Sequence, residues 1–118
     1  MPVKIHTIDE IMARRKRDTF FIQFRGPRSS RTMARREHLA WFDRTALRYE
    51  MAAPRGWLEG DPGLFVVYFD DTDDPRLGQY STLFEDPDGR SRSPDDYQMV
   101  LLPFESWLND PARSAARV

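Results

Sequence analysis

The sequence predicts one small α+β domain, and three observations carry that class. Stretches of helical period and stretches rich in β-branched and aromatic residues succeed one another in the order helix, strand, helix, strand, strand, helix, strand. Glycine- and proline-bearing turns separate them, with no internal repeat and no low-complexity linker. The length of 118 residues, with 40% hydrophobic and 31% charged side chains, suits a single buried core and argues against a disordered chain.

Each element has a local cause. Thr7-Ile8-Asp9-Glu10 has capping-box spacing, and Ile8, Ile11 and Met12 follow at helical intervals, which predicts a helix over 8–16 closed by Lys16 and Arg17 against the helix dipole. Thr19 to Phe24 is aromatic and β-branched and runs into Gly26-Pro27, so 19–24 is expected as a strand, its unbroken apolar character placing it inside a sheet. Caps among residues 29–32 open a second helix ending near residue 43, with Leu39 and Phe42 on a narrow apolar stripe shared with Arg35 and Ala46. Leu47, Tyr49 and Met51 alternate with Arg48 and Glu50 and predict a half-buried strand over 47–51.

Trp57-Leu58 reads as a loop plug over the core, and Gly60 to Gly63 as a turn. Leu64 to Phe69 is the plainest strand of the chain. Asp74-Pro75 sets a capping carboxylate before a proline at the first helical position, and Leu77, Tyr80, Ser81 and Phe84 extend the helix over 75–85. Residues 98–102 form the last strand, 105–109 a closing helical turn, and 110–118 a frayed tail.

After the first helix the order is therefore β-α-β-β-α-β. Two split βαβ units of this order build a four-stranded sheet, antiparallel or mixed, with two to three helices lying on one face, the ferredoxin-like arrangement.

Charge separates the two halves of the chain. Residues 1–60 carry 13 Lys/Arg against 7 Asp/Glu, whereas 61–118 carry 5 against 12. Such asymmetry bears on partners: a basic half suits nucleic acid or an acidic protein, and oppositely charged halves admit a homodimer. The absence of cysteine excludes disulfides, thiolate catalysis and thiolate metal sites. Neither a signal-peptide pattern nor a membrane-length apolar run occurs, so a cytoplasmic protein without membrane contact is expected.

Chemistry-bearing constellations are few. Asp70, Asp71, Asp73 and Asp74 follow the plainest strand, and Asp71-x-Asp73 has chelating spacing, yet the helix cap already accounts for Asp73 and Asp74, so no metal or other cofactor is expected. His6 and His38 are the only histidines; His38 reads as a partly solvated residue on a charged helix, and His6 as part of a mobile start. Arg14, Arg15, Lys16 and Arg17 form one basic cluster, and Arg25, Arg28, Arg31, Arg35 and Arg36 a second, flanking the first strand. The positions at which a four-stranded nucleic-acid-binding sheet stacks bases fall on Leu64 and Val66, which cannot stack.

These features rank the functions. First stands a non-enzymatic protein-interaction module, a small regulator or inhibitor of a larger protein or assembly, binding through Arg28, Arg31, Arg35, Arg36, Trp57, Asp70, Asp71 and Asp73. Nucleic-acid binding through the arginines of 14–36 comes second. A metal-dependent phosphoryl-transfer or nuclease enzyme comes third.

Overall fold

Two strands, β2 (Thr19–Phe24) and β4 (Leu64–Val67), are apolar on both sides, and the architecture follows from the need to cover both. The computed structural model describes residues 5–25, 28–54, 57, 63–69 and 73–110, without the side chains of 28–32. The other elements are β1 (His6–Thr7), α1 (Ile8–Arg15), α2 (Arg28–Arg44), β3 (Tyr49–Ala53), α3 (Pro75–Phe84), β5 (Tyr97–Leu102) and α4 (Phe104–Leu108). The strands form one mixed sheet in the order β1-β3-β4-β2-β5. Pairs β3–β4, β4–β2 and β2–β5 are antiparallel, and β1 joins β3 in parallel.

The α+β class expected from the sequence is therefore observed, with five strands and four helices among the described residues in place of four and two to three. The added strand is two residues long, too short for any periodicity to show; it pairs His6 with Ala52 and Thr7 with Ala53. His6 thus belongs to the sheet and not to a mobile segment, and its Nδ1 lies 3.0 Å from Glu10 Oε2.

Helices cover both faces of the sheet, not one. On the first, α2 and α3 bring Ala34, Trp41, Phe42, Tyr80 and Phe84 onto Ile22, Phe24, Phe65 and Val67. On the second, Ile11 and Met12 of α1 and Trp107 of α4 pack on Phe21, Leu64 and Val66. Two long-range bonds hold that second layer: Trp107 Nε1–H donates to Asp9 at 2.7 Å, and Phe104 N–H donates to Asp18 at 2.8 Å.

Local signals set the element ends. Thr7 Oγ1 accepts the Glu10 N–H at 3.2 Å while the Glu10 carboxylate accepts the Thr7 N–H at 3.4 Å, a closed capping box. Asp74 caps α3 by accepting the Arg76 N–H at 2.9 Å. At the far end of α2, Ala46 takes a left-handed φ of 56°, with Leu47 N–H bonded to Phe42 C=O and Ala46 N–H to Asp43 C=O, which is a Schellman closure.

That closure moves the third strand. Leu47, expected as its first inward residue, is instead the buried apolar plug that seals the helix end, and β3 starts two residues later and runs to Ala53. β4 stops at Val67, short of the expected 69, although Tyr68 N–H still reaches Arg48 C=O at 2.9 Å. Trp57 is half-buried, and its enclosed indole N–H has no partner among the described residues. From residue 111 the expected tail lies outside the described residues.

Two backbone positions generate a prediction. Gly78 lies inside α3 with nothing within 4 Å of an added Cβ, so Gly78→Ala should stabilise by about 0.5–1 kcal/mol. At Ala46 the strain runs the other way, and Ala46→Gly should gain up to about 1 kcal/mol. Urea unfolding followed by tryptophan fluorescence checks both, and a loss on either change contradicts the local geometry described.

Candidate functional site

Four arginines converge at one end of the sheet, on the face covered by α1. After α1, Lys16 turns left-handed (φ 56°) with its N–H on Met12 C=O, which turns the chain back into β2. Thr19, 1% exposed, holds the corner: its hydroxyl donates to Arg17 C=O at 3.0 Å and accepts from Arg15 Nε–H at 3.2 Å. Across the sheet, Arg48 precedes β3 and Tyr68 follows β4.

Tyr68 is the centre of the group. The Arg15 and Arg48 guanidiniums stand 4.6 Å and 5.7 Å from its ring centroid. Its hydroxyl donates to Glu50 at 3.0 Å, and the same carboxylate lies 3.8 Å from Arg14. Arg14, Arg15, Arg17, Arg48, Glu50, Tyr68 and Phe69 line a cavity of about 420 Å³. A neighbouring hollow of about 570 Å³ shares Arg15, Arg17 and Phe69 and extends over Lys16, Asp18 and Phe104.

The electrostatics are those of crowded cations. Among the described residues that line the smaller cavity, four are arginines and one, Glu50, is a carboxylate, with Asp18 and Glu105 in the neighbouring hollow. Burial lowers the Arg15 pKa from its ordinary value, and Arg17, Arg14 and Arg48 lower it further. Burial raises the Tyr68 pKa, and the hydrogen bond to Glu50 adds to that. Guanidiniums present flat, paired donors to carboxylate or phosphate oxygens, so the arrangement is built to take an anion.

The residues singled out from the sequence do not form one site. Arg28 and Arg31 lie in the first turns of α2 and Trp57 in the β3–β4 connection, at the end of the sheet opposite the basin. Arg35 sets its guanidinium 4.7 Å from the Phe65 ring, and Arg36 is exposed. The two basic clusters thus stand at opposite ends of β2, a six-residue strand that separates them by roughly 20 Å. Asp73 is exposed beside the α3 cap, while Asp74 is buried and paired with Arg76 at 2.8 Å. Asp70 and Asp71 fall outside the described residues. Among the described residues no three His, Asp or Glu side chains gather as a metal site.

Arg48, Glu50 and Tyr68 were the members that sequence reasoning missed. Arg48 and Glu50 read as the solvent side of an alternating strand, and only the β3–β4 register carries them to Tyr68. Their parity, two and four residues before the inward Ala52, is the signal that places them on the α1 face.

His38 departs most from expectation. It is wholly buried, not partly solvated, with its imidazole stacked 4.0 Å from the Phe84 ring. Nδ1–H donates to Ala34 C=O at 2.8 Å, which leaves Nε2 to accept the Tyr80 hydroxyl at 2.9 Å. Its sequence neighbours Arg36 and Glu37 are exposed, whereas Ala34, Trp41 and Phe42, at i−4, i+3 and i+4, are buried with it. No protein-family model, curated protein or solved structure matches the chain.

Burial lowers the His38 pKa from 6.5 to about 4, the Ala34 hydrogen bond opposing this in part. With the folded value below the unfolded one, the unfolded chain binds more protons between them. The contribution is complete above pH 6.5 and is lost as pH falls towards 4. Between about pH 7 and about pH 5 the protein should lose about 2 kcal/mol more stability than His38→Gln, whose side chain does not titrate. Urea titrations of both proteins at the two pH values test this, and parallel losses would contradict a buried neutral imidazole.

Proposed function

We propose that the protein is a non-enzymatic interaction module that takes an acidic segment of a partner protein into the Arg14, Arg15, Arg17 and Arg48 basin. The observation that carries this reading is the set of four arginines that line one cavity, two of them with their guanidiniums over the Tyr68 ring. An incoming carboxylate or phosphate group relieves the mutual repulsion of these cations and accepts paired donors from them. A module of this kind acts as a small regulator or inhibitor by occupying an acidic surface that another molecule would use.

Three features favour a protein segment over nucleic acid. Helices cover both sheet faces, so the sheet offers no platform for bases. Tyr68 is already engaged by two guanidiniums and supports cations instead of stacking on a ligand. The second arginine cluster begins at the far end of β2, so the described residues form no continuous basic track along which a phosphate backbone would run. Against an enzyme, both histidines are occupied structurally, His38 in the core and His6 against Glu10.

Fluorescence anisotropy with labelled probes tests the proposal. A glutamate-rich peptide of about ten residues should bind, weaken steeply from about 0.05 M to about 0.5 M salt, and lose about tenfold or more in affinity to the double change Arg14→Glu/Arg48→Glu. The glutamine version of the peptide should not bind. A single-stranded oligonucleotide of equal charge that binds more tightly than the peptide overturns the protein-partner reading in favour of nucleic acid. Peptide binding untouched by the double change removes the basin as the site.

A further inference from the structure

Strand β5 closes one side of the sheet, and among the described residues no strand pairs with its outer backbone edge. The bond from Arg25 N–H to Asp96 C=O at 2.7 Å sets the phase of the β2–β5 ladder. Gln98, Val100 and Leu102 share the phase of Asp96 and turn their backbone groups to β2; Tyr97, Met99 and Leu101 turn theirs outward. Tyr97 N–H is taken by Ser93 C=O at 3.0 Å, and Met99 C=O accepts the Gln98 side-chain amide at 3.2 Å. The Met99 N–H and both backbone groups of Leu101 have no partner among the described residues.

The side chains along this edge are apolar on both faces. Leu101 and Met99 lie opposite Phe20 and Ile22 on the α2/α3 side, and Val100 lies opposite Phe21 on the α1/α4 side. Val100 is 52% and Leu101 39% exposed. No charge, proline or bulge interrupts 98–102, although such devices usually protect an open edge. The opposite edge of the sheet, β1, is only two residues long.

We propose that this edge pairs with β5 of a second copy of the chain, antiparallel, about a two-fold axis through Val100. A two-fold contact needs a segment that complements itself, and this register provides one. Val100 meets Val100 of the second copy, and Met99 meets Leu101, apolar against apolar on each face. The outward groups of Met99 and Leu101 exchange N–H···O=C bonds, the Gln98 amide yielding its place on Met99 C=O. Sliding the register to centre on Met99 would set Leu101 against Tyr97, whose N–H is already committed to Ser93. The two sheets become one sheet of ten strands.

The absence of cysteine makes the contact directly testable. At this two-fold, residue 100 is a non-hydrogen-bonded pair, whose Cα atoms lie about 4.5 Å apart, within disulfide reach. Under copper–phenanthroline and air, Val100→Cys should cross-link about tenfold faster than Leu83→Cys, a control at a comparably exposed site on α3. Sedimentation velocity of the full chain should show a concentration-dependent shift from a 13.9 kDa monomer to a dimer. The shift should vanish in Val100→Lys/Leu101→Lys with circular dichroism unchanged. A chain that stays monomeric throughout, a dimer that survives the double change, or equal cross-linking of Val100→Cys and Leu83→Cys would each overturn the proposal. Pairing of the edge with an added extended peptide by an otherwise monomeric chain would overturn it too, by giving β5 a different occupant.

Discussion

Burial of the β2–β4 pair on both faces is the constraint on which the rest of the structure depends. Ile22 and Val66 are fully buried and Val67 nearly so, and they point to opposite sides of the same two strands. Neither side can face water, so a helical layer is required on each. The βα units supply α2 and α3 for one side. The segments outside them supply α1 and α4 for the other, joined by the Trp107–Asp9 and Phe104–Asp18 bonds across 98 and 86 residues of chain. The first helix and the closing turn, which look like appendages in the sequence, are thus the second half of the core.

The same constraint decides where polar chemistry can stand. His38 sits inside the first layer, and the cost of burying an imidazole is offset by keeping it neutral and satisfying both ring nitrogens. The hydrogen bond to Tyr80 joins α2 to α3 beneath an aromatic cluster that includes Phe24, Phe84 and Tyr97. With the faces covered, open charged groups are left to the strand ends. At one end, Arg15 is held by Thr19 and stands over the Tyr68 ring, with the exposed Arg48 5.7 Å from the same ring. Arg15, half-buried and hydrogen-bonded to Thr19, is the fixed member of the group, whereas Arg14, Arg17 and Arg48 are exposed, as Arg36 is.

Legibility in the sequence followed the range of the interaction. Capping at Thr7 and Asp74 is a matter of two or three residues, and both ends were readable. β2 was readable because its composition is continuous over its whole length. β1 was not, since two residues carry no period and are strand only because Ala52 and Ala53 accept them. Leu47 misled because a helix-closing plug and the first inward residue of a strand have the same side chain; the left-handed Ala46 separates them. The α+β class was accessible from local patterns, whereas the basin required β3 and β4 in register, a contact at a sequence distance of about twenty residues that no window detects.

A two-fold through Val100 would join the two proposals physically. Val100 lies on the α1/α4 side, as do Tyr68 and Ala52, so an axis perpendicular to the sheet leaves both basins open on one surface. Antiparallel pairing of β5 sets them at opposite ends of the joined sheet, because each basin lies at the β2 end where Thr19 meets Leu102. One basin offers a few guanidiniums and would hold an acidic segment weakly. Two on a common surface would engage a partner with repeated acidic segments as one bivalent site, the second contact drawing on a high local concentration instead of on new chemistry. Weak individual sites and a weak edge contact would then reinforce each other: a partner that bridged both basins would also favour the paired state, and the coupling would be reciprocal.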